Sequence, residues 1–331
     1  MITSFSNLHR RAWLRTVVGS VGVCSLPFAA LAQGWPGRPV RFVVPYAAGN
    51  QADIVARLLA EELSKKWSQP VVVDNQAGAG GAIGVAQVAR AAPDGYTIGF
   101  AAIAALAITP HIQKAPYDPL VDITPLIGVT EVRGNSWAVH PALPVRNVQE
   151  LVALARSRPQ GLTYATPGSG TIPHLNMEIL ARALQIKLIH IPYKAAVAGV
   201  ADVMAGQVDM VYDALNLLKP QIDAGKLRAI AVNGSVRNPL LPDVPSFGEQ
   251  GVRADTRNAW QMVIAPRNVP REIASRISAD VAELLGRSDF TARLPSGSDP
   301  LNLSMGPAIE RVRTEHALFG GMVKQLGIQA S

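Results

Sequence analysis

Strand-like and helix-like segments alternate along this chain, and the alternation restricts the possible folds more than any other feature. Residues 39–44 form a short apolar run, and residues 53–67 follow with apolar side chains at helical spacing. Residues 71–73 and 95–100 predict two more strands, with a helix over 83–92 between them. A β-α-β-α-β order predicts a parallel sheet that helices cover on both faces.

The same order begins again near residue 137 and predicts a second unit of this kind. Strands are predicted at 137–140, 163–165, 188–191, 208–212, 227–232 and 260–265, and helices at 147–156, 174–184, 197–205, 270–285 and 306–326. Two successive units predict two lobes. We expect the first lobe to comprise residues 34–135 plus 257–331, and the second to comprise residues 136–256.

The first 32 residues have the pattern of a secretory signal peptide. Three arginines between residues 10 and 15 precede an apolar stretch that ends in Ala30-Leu31-Ala32, so we expect cleavage near Ala32. The pattern predicts a periplasmic protein. Export by the general secretory route and export by the twin-arginine route both remain open, and a membrane anchor is the alternative interpretation of this segment.

Charge and cysteine content exclude several classes of protein. The formal net charge is +7, and removal of the leader's three arginines leaves +4. Basic blocks interleaved with aromatic residues are missing from the sequence, so nucleic acid is not an expected partner. The single cysteine, Cys24, lies in the leader, which leaves the mature chain without disulfide or thiol chemistry. The histidines lack metal-ligand spacing, and we expect no metal and no cofactor.

Three turns that join a strand to a helix are the candidates for binding chemistry. They cover residues 45–50, 75–81 and 166–171, and we name each by these numbers. Such turns leave backbone N–H groups unpaired at the positive end of a helix dipole, which favours an anion, most simply a carboxylate. The alternative is that each turn is a plain connection capped by Asn, Asp or Ser.

Catalytic motifs are incomplete. Residues 167–170 lack the first glycine of a nucleophile elbow, so Ser169 is interpreted as a ligand donor or a cap. His174 would begin the next helix beside the turn and is a candidate ligand contact. An exported α/β hydrolase that uses Ser169, His174 and Asp202 or Asp213 is an alternative, but the spacing matches no known triad order. We expect the protein not to be an enzyme.

Short segments in a fixed order identify a family that the chain resembles. They are Trp35-Pro-x-Arg38-Pro-Val, Val44-Pro-Tyr-Ala-Ala-Gly-Asn-x-x-Asp53, Val73-Asp-Asn75-x-x-Gly-Ala-Gly-Gly81, Pro93-Asp-Gly-Tyr-Thr97, Tyr164-Ala-Thr-Pro-Gly-Ser-Gly170, His190-Ile-Pro-Tyr-Lys194, Gly206-Gln-Val-Asp209 and Gly225-Lys-Leu-Arg-Ala-Ile-Ala231. In this order they resemble the Bug-type solute-binding receptors of tripartite tricarboxylate transporter systems, from about residue 35 to residue 328.

The resemblance implies a two-lobed α/β periplasmic binding protein of the type II, or Venus flytrap, class. Each lobe would be a mainly parallel sheet flanked by helices. The implied function is capture of a small organic carboxylate between the lobes for the membrane subunits of such a transporter, or alternatively for a sensor kinase. Tricarboxylates, dicarboxylates, acidic amino acids and aromatic carboxylates are all candidate ligands, and we expect a monomer. Effector-binding domains of bacterial regulators share this architecture, but a leader stands here in place of their DNA-binding helices.

The candidate ligand-binding residues come from both predicted lobes. The resemblance implies that the 45–50 and 166–171 turns hold the carboxylate from opposite lobes, and that Asp53 anchors the first helix. The full set is Tyr46, Ala48, Gly49, Asn50, Asp53, Thr166, Gly168, Ser169, Gly170, Thr171, His174, Tyr193, Ala195 and Asp202.

Two departures from the family pattern affect the predicted cleft. Asn50 replaces a glycine, which predicts a left-handed Asn whose amide is able to enter the cleft. Ala195 and Ala196 replace two glycines. Their methyl groups are expected to narrow the cleft or to require different backbone angles.

Overall fold

The computed structural model describes residues 34–132, 134–193, 195–254 and 256–328. The predicted signal peptide, residues 1–32, and its Cys24 lie outside these residues. From Trp35 onward the described residues belong to one structural unit. Within them, the helices are too short or too polar to cross a membrane.

The described residues alternate between strands and helices much as the sequence predicts. The strands are β1 Val40–Val44, β2 Val71–Asn75, β3 Thr97–Ala102, β4 Ile123–Val132, β5 Asn135–Val139, β6 Leu162–Thr166, β7 Leu188–Pro192, β8 Met210–Ala214, β9 Arg228–Val232, β10 Ala259–Pro266 and β11 Ser298–Leu303. The α-helices are α1 Gln51–Trp67, α2 Ala82–Ala89, α3 Thr109–Ile112, α4 Val148–Ser157, α5 Ile172–Leu184, α6 Ala196–Met204, α7 Leu215–Asp223, α8 Arg271–Leu285, α9 Ser288–Thr291 and α10 Met305–Leu326. A 3₁₀ turn, Ala79–Gly81, precedes α2, and a π-helical turn, Ala104–Ile108, precedes α3.

The strands form two mixed sheets, with the orders β11-β4-β10-β3-β1-β2 and β7-β6-β8-β5-β9. In the first sheet β1, β2 and β3 are parallel, whereas β10 and β11 run the opposite way. In the second sheet only β5 is reversed. The two-lobed α/β fold is therefore confirmed. Each sheet contains at least one reversed strand that the sequence did not indicate.

The mixed strand directions follow from how the chain crosses between the sheets. It leaves the first sheet at Val132 and enters the second at Asn135, then returns to the first sheet at Ala259. A strand that enters at the edge where the parallel strands end must run against them, as β5 and β10 do. Both crossings therefore lie at the carboxyl edges of the sheets.

The elements that were not predicted include strands β4 and β11 and helices α7 and α9. Pro125 and Gly128 interrupt the apolar run of β4, and Pro220 lies inside α7. Pro125 is accommodated because β11 pairs with β4 only from Gly128 onward, which leaves one side of the strand unpaired at the proline. β11 mixes two leucines with Ser, Asp, Pro and Asn, and only Ser298 is buried, so it lacks the apolar signal of a strand.

Helices cover both faces of each sheet, and α5 also joins the two lobes. α1 and α8 pack with Phe42 on one face of the first sheet, and α10 packs on the other. Ile172 and Leu175 of α5 pack in the same hydrophobic cluster as α10, on the first sheet. This is notable because α5 follows a strand of the second sheet. Asn176 adds a polar connection, because its Nδ2 donates to the Arg257 carbonyl and its Oδ1 accepts from the Arg257 N–H, each at 2.8 Å.

Candidate functional site

The glycine-bearing turns lie at the carboxyl edges of the two sheets. The 45–50 and 75–81 turns follow β1 and β2 in the first sheet, and the 166–171 turn follows β6 in the second. Since both crossings also leave from these edges, the turns of the two lobes border one region between the sheets. Open α/β sheets bind ligands at such edges.

Asp53 braces the 45–50 turn from below. The residue is only 2% exposed, and Oδ2 accepts from the Gly49 N–H at 2.8 Å and from Arg57 Nε at 2.9 Å. Oδ1 accepts from Asn75 Nδ2 at 2.8 Å, which ties the 45–50 turn to the 75–81 turn. Burial alone would raise the pKa of Asp53, but these hydrogen bonds outweigh burial and hold its pKa below the usual value.

The expectation of a left-handed Asn50 is wrong. Asn50 has extended angles, φ −67° and ψ 155°, and its side chain accepts from the Ala52 N–H at 2.8 Å as the N-cap of α1. Gly49 has the left-handed conformation instead, with φ +81°. The Asn50 side-chain oxygen is therefore engaged by the helix, while Ala48, Gly49 and Asn50 are exposed along the turn.

Tyr46 places a buried hydroxyl below the same edge. Its Oη forms no hydrogen bond with the described residues, and a Cβ at Gly81 would lie 3.3 Å from it. Burial raises the pKa of this phenol, so it stays protonated and able to donate. The backbone carbonyl of Tyr46 accepts from Asn75 Nδ2 at 3.0 Å.

Two histidines brace the 166–171 turn. The Gly170 N–H donates to His174 Nδ1 at 3.0 Å, and Thr166 Oγ1 is hydrogen-bonded to His190 Nε2 at 2.6 Å. The two imidazole rings stack with centroids 3.9 Å apart and planes 11° apart, and Tyr164 continues the stack. Burial, with the proximity of His190, lowers the pKa of His174 to about 4, and burial lowers the pKa of His190 to about 4. Both rings are therefore neutral at pH 7.

The rest of the 166–171 turn is held by its own hydroxyls. Thr171 Oγ1 donates to the Gly168 carbonyl at 2.8 Å, and the Gly168 N–H donates to Thr166 Oγ1 at 3.2 Å. The Ser169 side chain makes no hydrogen bond within the described residues. Thr171 does not cap α5 with its side chain, so the first N–H groups of that helix are not used by a cap.

Gly170 marks the contact between the 166–171 turn and the first lobe. Its φ is +75°, and a Cβ at this position would overlap the Cδ1 atom of Ile112 and lie 3.8 Å from Ile108. Both isoleucines belong to the helical segment that follows β3. A larger residue here would adopt a strained backbone conformation and would require the Ile112 side chain to move.

Tyr193 lies beside the 166–171 turn. The Tyr193 N–H donates to the Thr166 carbonyl at 2.9 Å, and the Tyr193 hydroxyl donates to Asp202 Oδ2 at 2.6 Å. Ala195 has ordinary extended angles, φ −147° and ψ 141°, and precedes α6 without a side-chain cap. The Gly-to-Ala departure at Ala195 therefore needs no unusual backbone.

The arrangement suits anion binding better than catalysis or metal binding. The starts of α5 and α6 lack side-chain caps and lie close together, so their N–H groups and helix dipoles favour negative charge. The hydrolase alternative lacks its relay, because His174 Nδ1 accepts from Gly170 and Asp202 accepts from Tyr193. The described residues contain no group of three metal-ligating side chains.

Two cavities lie away from these turns. One, of about 210 Å³, lies between α5 and α10, and the other, of about 280 Å³, lies beside the start of β4. Predicted site residues do not line either cavity. The first is lined by Glu178, Ile179, Arg182, Ala183, Arg253, Ala254, Met322 and Leu326.

The structure brings together most of the predicted site residues. It also shows two residues, not predicted for this role, that hold the turns in place through hydrogen bonds. Tyr46, Gly49 and Asp53 are connected in the first lobe, as are the 166–171 turn, His174 and Tyr193 in the second. Asn75 and His190 were missed as braces, although both stand in the family segments. Asn75 lies more than 20 positions from its partner Asp53, and His190 lies more than 20 positions from its partner Thr166. Contacts between such distant residues cannot be predicted from local sequence spacing.

Comparisons with known proteins agree with this geometry. The model of the tripartite tricarboxylate transporter family receptor matches residues 55–325. A UPF0065 protein of Bordetella bronchiseptica is 33% identical over 303 residues, which cover 91% of this chain and 89% of that protein.

Solved structures show the same architecture with carboxylates bound. Rpa4515 of Rhodopseudomonas palustris with adipate has a TM-score of 0.76 and 33% identity, covering 90% of this chain and 100% of that one. MatC of the same organism with bound malate has a TM-score of 0.72 and 29% identity, covering 87% and 100%.

Proposed function

Because the chain belongs to the family of tripartite tricarboxylate transporter receptors, we propose that it captures a small organic carboxylate between its lobes and delivers it to the membrane subunits of such a transporter. The proposal includes export to the periplasm after removal of residues 1–32 and action as a monomer. The lobes would comprise residues 34–135 plus 257–331 and residues 136–256. Delivery to a sensor kinase is the alternative role.

The observation that carries the proposal is the open start of α5 and α6 beside the 166–171 turn. Charge-assisted hydrogen bonds to a carboxylate contribute roughly 1.5–3 kcal/mol each, and a micromolar site requires about 8 kcal/mol. A few charge-assisted hydrogen bonds from the second lobe, with a few more contacts from the first lobe, would therefore supply the binding free energy of a micromolar site. The adipate and malate bound to the two related proteins are dicarboxylates that such a site would accept.

The predicted residues divide into two roles in this proposal. Ala48, Ser169 and Ala195 present backbone or hydroxyl groups to the ligand. The Gly49 N–H and the Thr171 N–H and hydroxyl are already used inside their own turns. Asp53, Thr166, His174 and Asp202 are already engaged in hydrogen bonds and position the turns. The crossing segments around Gly134 and Asn258 would be the hinge about which the lobes close.

A thermal-shift screen tests the proposal. The protein is exported from a bacterial host and purified, its N terminus is mapped by mass spectrometry, and it is screened against carboxylates and the matching amides. A ligand at 100 times its Kd stabilises by about 2.7 kcal/mol, so an acid should raise Tm while its amide does not. Equal shifts with acid and amide, or no shift with any dicarboxylate, tricarboxylate, acidic amino acid or aromatic acid, would overturn the proposal.

A further inference from the structure

One carboxylate at the edge of the second sheet takes no part in the site described so far. Asp213 is the fourth residue of β8, and its Oδ1 accepts from the Ala214 N–H at 2.7 Å. Its Oδ2 is buried and has no hydrogen-bond partner among the described residues. Buried polar atoms nearly always have a partner, so this oxygen requires an explanation.

Strand register places Asp213 beside the 166–171 turn. Ala165 of β6 pairs with Val211 of β8, so Asp213, two residues further along, lies next to Pro167. On its other side, Asp213 pairs with Ser136 of β5, close to the crossing between the sheets. Asp213 therefore lies where the proposed ligand turn and the crossing meet.

Asp213 also shares a sheet face with the open helix start. Side chains alternate along a strand, so Asp213 lies on the same face as Val211. That face is covered by α6, through Val200 and Val203. The start of α6 and Tyr193 lie at the same end of this face as Asp213.

Asp213 differs from its surroundings in the type of hydrogen bond that it offers. Its surroundings offer N–H donors, which suit the carboxylates of a ligand, whereas Asp213 offers an acceptor. Asp213 forms no ion pair with the described residues, and burial raises its pKa to about 6. A ligand with carboxylates alone would leave Oδ2 unmatched, and a ligand with a hydroxyl or an ammonium group would satisfy it.

We propose that Asp213 is a specificity-determining residue, which accepts a hydrogen bond from a donor group on the ligand and makes the receptor prefer hydroxy- or amino-carboxylates to plain dicarboxylates. This inference rests on the proposed function, because it concerns the same ligand site.

The test compares matched ligands by isothermal titration with the full protein. The four-carbon set is succinate, malate and aspartate, and the five-carbon set is glutarate, 2-hydroxyglutarate and glutamate. We expect the donor-bearing member of at least one set to bind roughly tenfold more tightly than the plain acid, as expected for one hydrogen bond to a charged group. Asp213→Ala should remove this preference and leave the affinity for the plain acid unchanged or higher.

Two further variants separate the donor types and control for charge. Asp213→Asn keeps a neutral acceptor, so a hydroxy acid should retain part of its advantage and an amino acid should lose it. Asp223→Asn removes a carboxylate from the exposed end of α7, where Asp223 pairs with Lys219, and should leave the preference intact. Because Oδ2 has no partner, the ligand-free Tm of Asp213→Asn should equal or exceed that of the wild type.

Several results would overturn the inference. They are equal wild-type affinity for plain and donor-bearing acids, an Asp213→Ala variant that weakens all three members of a set equally, or one that retains the preference. Binding of an aromatic acid or a tricarboxylate but of neither set would overturn this inference and leave the proposed function standing. Binding of no carboxylate at all would overturn the proposed function as well.

Discussion

The 45–50 and 166–171 turns occupy equivalent places at the ends of parallel strands, yet opposite chemistry holds them. An ionised carboxylate, Asp53, braces the first turn and accepts from three donors. Two neutral imidazoles, His174 and His190, brace the second. The helix after the first turn is capped by Asn50, whereas the helix after the second has no side-chain cap.

The difference shows that the same strand–turn–helix unit can serve two purposes. In the first lobe the Asn50 side chain caps the helix start and Asp53 binds the Gly49 N–H, so the turn is held from within and leaves the exposed backbone of Ala48 available. In the second lobe the helix start stays available to an anion, and neutral braces add no negative charge near it. In the proposed site, the backbone donors for a carboxylate would therefore lie mainly in the second lobe.

The largest expected effect comes from Asp53. Asp53→Ala leaves the Gly49 N–H, Arg57 and Asn75 without their partner and should lower the free energy of unfolding by about 3 kcal/mol or more. Asp53→Asn keeps an acceptor and should cost roughly half as much. Urea unfolding of both variants measures the difference. Equal losses would show that the negative charge of Asp53 is unimportant.

Gly170 and Gly49 separate backbone strain from contact between the lobes. An alanine at either position incurs a left-handed penalty of about 1–2 kcal/mol. At Gly170 it also meets Ile112, which adds about 1–3 kcal/mol of overpacking, whereas at Gly49 nothing lies within 4 Å. We therefore expect Gly170→Ala to lower both Tm and ligand affinity more than Gly49→Ala does. Rescue of Gly170→Ala by Ile112→Ala would identify the contact, and failure of that rescue would contradict it.

Acid should loosen the 166–171 turn before the 45–50 turn. Unfolded histidine has a pKa near 6.5 and folded His174 one of about 4, so the unfolded chain takes up the extra proton and stability falls as pH drops from 6.5 towards 4. The loss for His174 is about 2 kcal/mol between pH 7 and pH 5. The contribution of Asp53, whose folded pKa is lowered, is retained until pH falls below its unfolded pKa.

Amide hydrogen exchange at pH 7 and pH 5, corrected for the intrinsic pH dependence of exchange, compares the two turns directly. Faster exchange of Gly170 than of Gly49 at pH 5 is expected, because a proton on Nδ1 of His174 displaces the Gly170 N–H. The local measurement is needed since burial and His111 also lower the pKa of His316 in the first lobe. His174→Gln should weaken the pH effect at Gly170 and leave the part that His190 contributes. His140→Gln, at a histidine outside the stack, should preserve the full effect.

The smallest expected effect is that of the α1 cap. Asn50→Ala should cost about 1 kcal/mol and Asn50→Gly a few tenths. Since the Asn50 oxygen bonds to the Ala52 N–H, Asn50→Gly should leave the ligand profile unchanged. A changed order of preference among succinate, malate and aspartate would show that the amide contacts the ligand after all.

The sequence was sufficient for the parts of the fold that depend on local pattern. Apolar runs and helical spacing revealed strands such as β1 and helices such as α1, and glycines revealed the turns. β4 was missed because Pro125 and Gly128 break its pattern, although tertiary pairing with β10 overrides both. The reversed strands were missed because strand direction depends on which edge of a sheet the chain enters.

The site was predictable at the level of turns and not at the level of braces. The 45–50 and 166–171 turns stand out through glycine and hydroxyl residues, whose conformational needs are local. The role of Asn50 was misjudged because an Asn beside a glycine suits both a left-handed position and a cap. The roles of His190 and Asp213 depend on neighbours that lie on other strands. Residue spacing along the chain does not reveal such neighbours.

The paired hydrogen bonds of Asn176 have a mechanical consequence. The amide holds the Arg257 backbone through a donor and an acceptor at once, as a neighbouring strand would. Asn176 lies on α5, the helix that begins at the 166–171 turn, and Arg257 lies in the segment that leads back to the first sheet. We therefore expect a rotation of that segment to be passed along α5, so that the 166–171 turn moves together with the crossing between the sheets.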